Sequence, residues 1–535
     1  MKMSLLYLLI IGFLLTTVEG FGQNTWVKTY GGSEEDDGQC IITTLDGGIV
    51  VTGNTTSMDK DFEGMDKGKT DIFLLKIDSN NNLVWKRSYG GWLNDSSSAV
   101  IESSEGDGYV IIGSTSSNDG DFGGMNHGSQ DIFVYKTDYN GNIVWKKLIG
   151  GSGSDVCKSI TKSEDGGYLI TGYTESNDFD FDGLRKGGIY YDIYVAKLNK
   201  EGIVTWIKTF GGTDHEEGQS IISTKDGCIF SGKTHSRDGD FKELLKSWSD
   251  IFIVKLDLAG NILWKKTFGG GNQDESYRIV NTNENSFTLT GLTWSNDFDF
   301  NVMNKGGCDI VVIHLDSIGN LIWKKTYGGT GIDVGFSMTN SDFGGYIITG
   351  FEMSRDGDFK GVSTGTSNIF LIKLNEDGDL IYKKTYGGTS ENVGTSITSK
   401  KNSIFLTGWT TSNDLDFLGL NKGKKDCFLM KLDSNGNLNN NTSVNEFSEP
   451  TTTLSVHPNP FSNTTTISYK VETPSNISIE LLNTVGQTIE VLRNDYSDSG
   501  TYQLPLNVST LSSGMYSVRM RIGSMNEVVP VCVVR

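Results

Sequence analysis

Two sets of acidic residues recur along this 535-residue chain at near-constant spacing. The first is an Asp-x-Asp-Phe signature at Asp59/Asp61, Asp119/Asp121, Asp178/Asp180, Asp238/Asp240, Asp297/Asp299, Asp356/Asp358 and Asp414/Asp416. The second stands four residues after a Gly-Gly pair, at Asp36, Asp95, Asp155, Glu216, Asp274 and Asp333, with Asn392 in the seventh slot. Closely spaced carboxylates suit hard cations, because Ca2+ takes about six to eight oxygen ligands. The densest groups are Asp178, Asp180 and Asp182, then Asp59, Asp61 and Glu63, and these are the candidate metal ligands, with Ca2+ the cation they would hold. The first does not continue as an EF-hand, since Ile189 stands where the closing Glu belongs. A plainer reading of the same pattern has each Asp capping a turn through neighbouring backbone N–H groups.

Paired acids also serve glycoside hydrolysis. Here they recur in every repeat, whereas a catalytic pair should break the repeat's symmetry. The histidines, His127, His215, His235, His314 and His457, are scattered, and no HExxH, GxSxG or phosphate-cradling loop is present. His215, beside Glu216 and Glu217, is the one that merits inspection. No residue is assigned a catalytic role.

The elements that carry these acids are set by a repeat. The Gly-Gly pairs fall at Gly31/Gly32, Gly90/Gly91, Gly150/Gly151, Gly211/Gly212, Gly269/Gly270, Gly328/Gly329 and Gly387/Gly388, spaced 59, 60, 61, 58, 59 and 59 residues apart. Such a period means one supersecondary unit that cannot bury its apolar face alone. Each copy has four strand-like runs joined by turn chemistry: Asp-Gly types between the first and second, Asp-x-x-Gly-Asn types between the third and fourth. Four antiparallel strands per repeat is a propeller blade. The seventh copy lacks its last strand, and Asn24 to Gly32 is an outer strand with no preceding blade, so the N-terminal strand is expected to close the ring. The aromatic at one position of that strand, Trp26, Trp85, Trp145, Trp206, Trp264, Trp323 and Tyr382, is read as packing between blades. Both acidic sets then lie on one loop face, with the second set, Asp36 to Asp333, nearest the central channel. These six are the candidate ligand-face residues.

Formal net charge is −20, which argues against nucleic acid or an anionic membrane as partner. Residues 1–22 read as a signal peptide, with Lys2 before the apolar run Leu5 to Val18, and no long apolar stretch follows that would span a membrane. The six cysteines form no CxxC pair and are expected to be mostly unpaired strand residues. All six prolines lie from Pro450 onward. The expected organisation is therefore a propeller over 23–440, a linker over 441–453 and a smaller β domain over 454–535.

That last region contains HPNPF (His457 to Phe461), LLNTVGQTI (Leu481 to Ile489) and LSSGMYSVRM (Leu511 to Met520). In this order they resemble the C-terminal sorting domain of the type IX secretion system of Bacteroidota. The resemblance implies an immunoglobulin-like sandwich, recognition by that secretion machinery, and a cargo that is released or attached to the outer surface. The chain ends VVPVCVVR, where the family usually carries lysines. Residues 24 to 440, through DGGYLITGYT (Asp165 to Thr174), resemble seven-bladed bacterial propeller repeat proteins often joined to such tails. The fold class expected is all-β, and the function a secreted or surface binding and adhesion module for an extracellular glycan or protein. The alternatives are a carbohydrate-active hydrolase with acids such as Asp155 and Asp274 at the channel mouth, and a structural envelope component.

Overall fold

The computed structural model describes residues 25–438, apart from 247, 283–285 and 363–364, and residues 454–534, apart from 458, 460, 472–473, 484–486, 509–510 and 523–524. The expected signal peptide of residues 1–22 and the expected linker of residues 441–453 lie outside the described residues. The chain divides into two compact units, Met1–Asn441 and Thr442–Arg535.

The first unit is a seven-bladed propeller. Its first blade contains β2 (Asp36–Thr43), β3 (Ile49–Thr55), β4 (Asp71–Ile77) and β5 (Leu83–Tyr89), paired antiparallel in that order. Residues on both faces of the two middle strands are buried, as in DIFLLKI of β4, because each blade is covered by a neighbour on either side. The turn between β2 and β3 places Gly47 at φ +85°, which is why an Asp-Gly-Gly stretch stands there. β5 is largely half-exposed and forms the rim.

Six blades are built from consecutive strands, and the seventh is completed from the other end of the chain. Here β1 (Trp26–Tyr30) pairs with Asp426–Asp433, running from Trp26 opposite Lys431 to Tyr30 opposite Cys427. The first strands of the seven blades pack against each other in cyclic order, and β2 packs on Asn392–Lys400 to close the circle. The N-terminal closure expected from the unpaired phrase NTWVKTYGG is therefore the one observed.

Each innermost strand carries a bulge at the same place, between Gly38 and Cys40 in β2 and between Cys157 and Ser159 in Asp155–Lys162. A bulge re-aims the extra residue and bends the strand. The Phe of every Asp-x-Asp-Phe stretch is buried inside the blade, and the residue pair before it forms a single 3-10 turn. The repeated Trp packs between blades. Trp85 Nε1 donates to Tyr139 O in the next blade at 3.0 Å, and Trp323 Nε1 to Glu376 O at 3.0 Å. All six cysteines are unpaired.

The second unit has a three-stranded sheet of Leu454–His457, Thr464–Val471 and Gly500–Asn507, and a four-stranded sheet of Thr488–Ser497, Ser475–Leu482, Gly514–Ile522 and Met525–Val533. The sheets share one apolar core in which Ile467, Ile479, Val518 and Val531 are fully buried. The closing strand, which departs from the expected lysines, pairs along its length with Gly514–Ile522.

Candidate functional site: the central channel and the seams around it

The acids placed nearest the channel by their position in the repeat do not face it. Asp36, Asp95, Asp155, Glu216, Asp274 and Asp333 all have no exposed surface. Each opens the innermost strand of its blade and is saturated locally. Asp36 accepts the Gly32 N–H at 2.7 Å, the Ser57 hydroxyl at 2.8 Å and the Thr55 hydroxyl. Ser57 and Thr55 come from the end of the neighbouring strand, about twenty residues on, so nothing adjacent to Asp36 in the chain marks the acid as already bonded. At these positions the structure supplies no open carboxylate for a ligand or for the hydrolase alternative.

The proposed cation ligands are not gathered either. Asp178 accepts from the Ser152 N–H at 2.8 Å and Asp180 from the Gly150 N–H at 3.1 Å, while Asp182 is exposed and ends the 3-10 turn. In the first blade Asp59 accepts from Ser33 and Asp61 from Gly31, Asp61 also pairs with Lys422 at 2.8 Å, and Glu63 is exposed. Among the described residues no group of three or more His, Cys, Asp or Glu side chains is placed to hold a metal ion. Backbone N–H donors hold the carboxylates of this signature. His215 packs on Tyr190 and Tyr191, with ring centroids 4.0 and 4.4 Å away.

At six of the seven seams between blades a second buried acid accompanies the first, and sequence reasoning missed it. Asp71, Asp131, Asp192, Asp250, Asp309 and Asp426 open the third strand of their blades and are at most 1% exposed. One oxygen of each accepts a backbone N–H from four to six residues earlier, as Asp309 does from Lys305 at 2.9 Å. The other, Oδ1, is buried without a partner in all six. It lies beside the acid of the following blade. A methyl built on Gly328 would collide with Asp309 Oδ1 and stand 2.8 Å from Asp333 Oδ2, so only glycine fits at the first position of the Gly-Gly pair. Burial pushes Asp309 up to about 6 and raises Asp333, with the charge of Asp333 adding to the rise at Asp309. Burial likewise lifts Asp250 to about 6 and Asp274 to about 7. Two carboxylates facing each other out of water do not both ionise cheaply, and one proton between them relieves the repulsion.

The seam between the sixth and seventh blades supports this reading. There both positions are amides, Asn368 and Asn392, each fully buried. Asn368 donates to Glu352 at 2.8 Å and Asn392 to the Ser367 and Ser390 carbonyls at 3.1 Å. The only neutral members of the two sets thus occur opposite one another, which was legible in the repeat had the two slots been aligned.

The channel itself is lined by the bulge residues, three positions after each buried acid and after Asn392: Gln39, Ser98, Lys158, Gln219, Tyr277, Phe336 and Thr395. Their flanks repeat and they do not. They bound a cavity of about 480 Å³ with Phe351 and Trp409. Aromatics come from blades five to seven, where Tyr277 and Phe336 meet edge to face at 5.0 Å and Phe336 and Phe351 lie 5.8 Å apart. Blades one to four contribute the polar arc. Behind the ring, Lys233 bridges Glu217 at 3.3 Å and Glu275 at 3.1 Å, and Lys425 pairs with Asp37 at 3.1 Å. These paired charges in turn hold ring residues, since Gln219 donates to Glu217, Tyr277 to Glu275 and Gln39 to Asp37 at 2.8–2.9 Å. Other cavities open between blades at the hairpin end, over Trp26, Trp206 or Trp323.

Comparison with known proteins decides the identity of the second unit. Residues 455–533 match the secretion system C-terminal sorting domain. The C-terminal unit is a type IX sorting domain. It marks the chain for export to the cell surface or beyond, and no helix of the described residues is long and apolar enough to cross a membrane. No curated protein matches the sequence. Among solved structures, the chain is similar to the WD40 β-propeller domain of Doa1, with 11% identity over 76% of this chain and 97% of that one and a TM-score of 0.41. It is also similar to PorZ, a surface component of the type IX secretion system of Porphyromonas gingivalis, with 12% identity over 95% of this chain and 75% of that one and a TM-score of 0.29. A putative 6-phosphogluconolactonase from Bacteroides uniformis gives 10% identity, 74% and 100% coverage and a TM-score of 0.38. The seven four-stranded sheets, rather than these likenesses, define the propeller.

Proposed function

We propose that the exported protein is a binding module that takes an extracellular glycan into the central channel of its propeller. One observation carries this reading: the channel ring is where the sevenfold repeat gives way to individual residues, with aromatics on one arc and amides and hydroxyls on the other. Elsewhere the blades preserve their acids, glycines and packing aromatics, as a scaffold would. A ring face stacks on the apolar face of a pyranose, and amides and hydroxyls bond its hydroxyl groups. The acids named at first for ligand binding serve instead to join the blades, which keeps the channel wall rigid.

The test is equilibrium binding of the purified full-length protein to a polysaccharide panel, with Tyr277→Ala and Trp409→Ala as channel variants. Stacking aromatics of this kind contribute about 1 kcal/mol or more each, so a weakening of about fivefold or greater is expected for each. Binding untouched by both substitutions would remove the channel from the account.

A further inference from the structure

Resting on the channel as the binding site, we infer that its ligand is an acidic polysaccharide, with Lys158 and Arg278 as the residues that select for its carboxylates. Two independent features of the lining lead there.

The first is charge. The chain carries 66 acidic and 46 basic residues, yet the charged side chains lining the channel are Lys158 and Arg278. Neither forms an ion pair with a described residue. Lys158 leans over Tyr173, 5.8 Å from the ring centroid, and Arg278 is exposed to the lumen. Arg278 also breaks its own slot, which holds Cys40, Ala99, Ser159, Ser220, Ser337 and Ser396 in the other blades. The acids nearby, Asp37, Glu217 and Glu275, sit behind the ring in ion pairs, Asp37 with Lys425 and the two glutamates with the one Lys233 they share. An unpaired guanidinium and ammonium in a confined lumen favour an anion, and guanidinium matches a carboxylate in two parallel hydrogen bonds.

The second is the direction of the hydrogen bonds. Each group of the polar ring has a donor engaged inside the protein. Gln39 and Gln219 each donate one amide N–H, to Asp37 and Glu217, and Tyr277 donates its hydroxyl to Glu275. Ser98 donates to Cys157 O at 2.6 Å and Thr395 to Gly38 O at 2.6 Å. The remaining capacity of these groups is mainly to accept: two amide carbonyls and three hydroxyl oxygens, against one further N–H on each glutamine. A ligand that satisfies them must bring many hydroxyl donors, and one that also answers Lys158 and Arg278 must carry negative charge. A uronic-acid polysaccharide meets both demands and offers flat pyranose faces to Phe336, Phe351 and Trp409. A peptide of acidic side chains meets the charge but brings one backbone N–H per residue in place of an array of hydroxyls, and no pyranose face.

The experiment uses full-length protein with polygalacturonate and, as its neutral counterpart, the fully methyl-esterified polymer of the same sugar. Polygalacturonate is expected to bind at least tenfold more tightly than the ester, with affinity falling as salt is raised. Lys158→Gln and Arg278→Gln are each expected to reduce that difference severalfold without lowering the melting temperature. Equal binding of the two polymers, or a difference insensitive to both substitutions, overturns the charge selection while the channel reading stands, provided Tyr277→Ala and Trp409→Ala still weaken binding. If polygalacturonate, alginate and hyaluronan all fail to bind the wild-type chain at millimolar sugar concentrations, the acidic ligand is overturned. A neutral polymer that binds in that case, and is lost in the aromatic variants, would keep the channel alone.

Discussion

At the scale of single residues, the seam acids explain why charges so deeply buried are tolerated. Asp309 and Asp333 are each fully buried, and the unpartnered Asp309 oxygen faces Asp333 across a glycine. The amide pair Asn368 and Asn392 shows the neutral solution within the same molecule. Replacing Asp309 and Asp333 together by Asn is therefore expected to leave the fold intact and to weaken the pH dependence of the melt, whereas Asp333→Ala strands the Ser354 hydroxyl and the Gly329 N–H it now serves and should cost about 2–4 kcal/mol. Parallel thermal melts of the two variants between pH 5 and 8 check both. Phe298 makes a smaller case. It stands at φ +43° and 64% exposed, in a slot where three blades place glycine, Gly120, Gly239 and Gly357, at φ +54° to +56°. Phe298→Gly relieves the left-handed backbone and should stabilise by about 1 kcal/mol, read by denaturant unfolding.

At the scale of elements, the Gly-Gly phrase and the N-terminal strand do separate jobs. The first glycine lets an outer strand pass between two carboxylates, so Gly328→Ala forces its methyl into Asp309 and is expected to destabilise by about 1–3 kcal/mol in chemical denaturation. β1 supplies the rim of the seventh blade and ties it to the start of the chain. Deleting residues 24–32 leaves the strand Asp426–Asp433 with a bare edge and removes the Trp26 and Tyr30 packing. The expected outcome is a large drop in melting temperature and a tendency to associate, seen by calorimetry and size-exclusion chromatography. An unchanged melt would contradict the clasp.

At the scale of the whole molecule, the buried acids act together. Burial lifts Asp71, Asp155, Asp192, Asp250, Asp309 and Asp426 to about 6, and Glu216 and Asp274 to about 7. A carboxyl raised in the folded state contributes stability that is complete below its unfolded value near 4 and is lost as pH rises through the folded value. The propeller should thus melt at a lower temperature at pH 8 than at pH 5. The opposite group, Asp46 and Asp165, held down to about 2 by their bonds to Lys76 and Lys197 and to nearby hydroxyls, gives up its contribution only as pH falls through about 2. A rising melt between pH 5 and 8 would contradict the shared-proton account. The second unit acts at the same scale: removing residues 455–533 should leave the propeller inside the outer membrane of the producing cell, detected by fractionation, with its fold unchanged.

What the sequence determined by itself was whatever the repeat encodes locally. Spacing of the glycine pairs set the number of blades, turn dipeptides set the strands within each, and the orphan NTWVKTYGG with the unfinished seventh copy set the closure. The motifs around Pro458, Val485 and Met515 marked the sorting domain. The roles of the acids were decided only in three dimensions. Asp36 looks like a loop residue in the chain because Thr55 and Ser57, which bury and bond it, arrive from another strand, and Asp426, which faces it, arrives from the last blade. The Asp178 group looks like a cation loop because spacing along a chain does not say which way each carboxylate turns, and backbone N–H groups from the preceding blade turn Asp178 and Asp180 to different partners. The channel was hidden for the converse reason. Its residues occupy a slot that does not repeat, and a bulge, visible only once strands are paired, aims that slot at the axis.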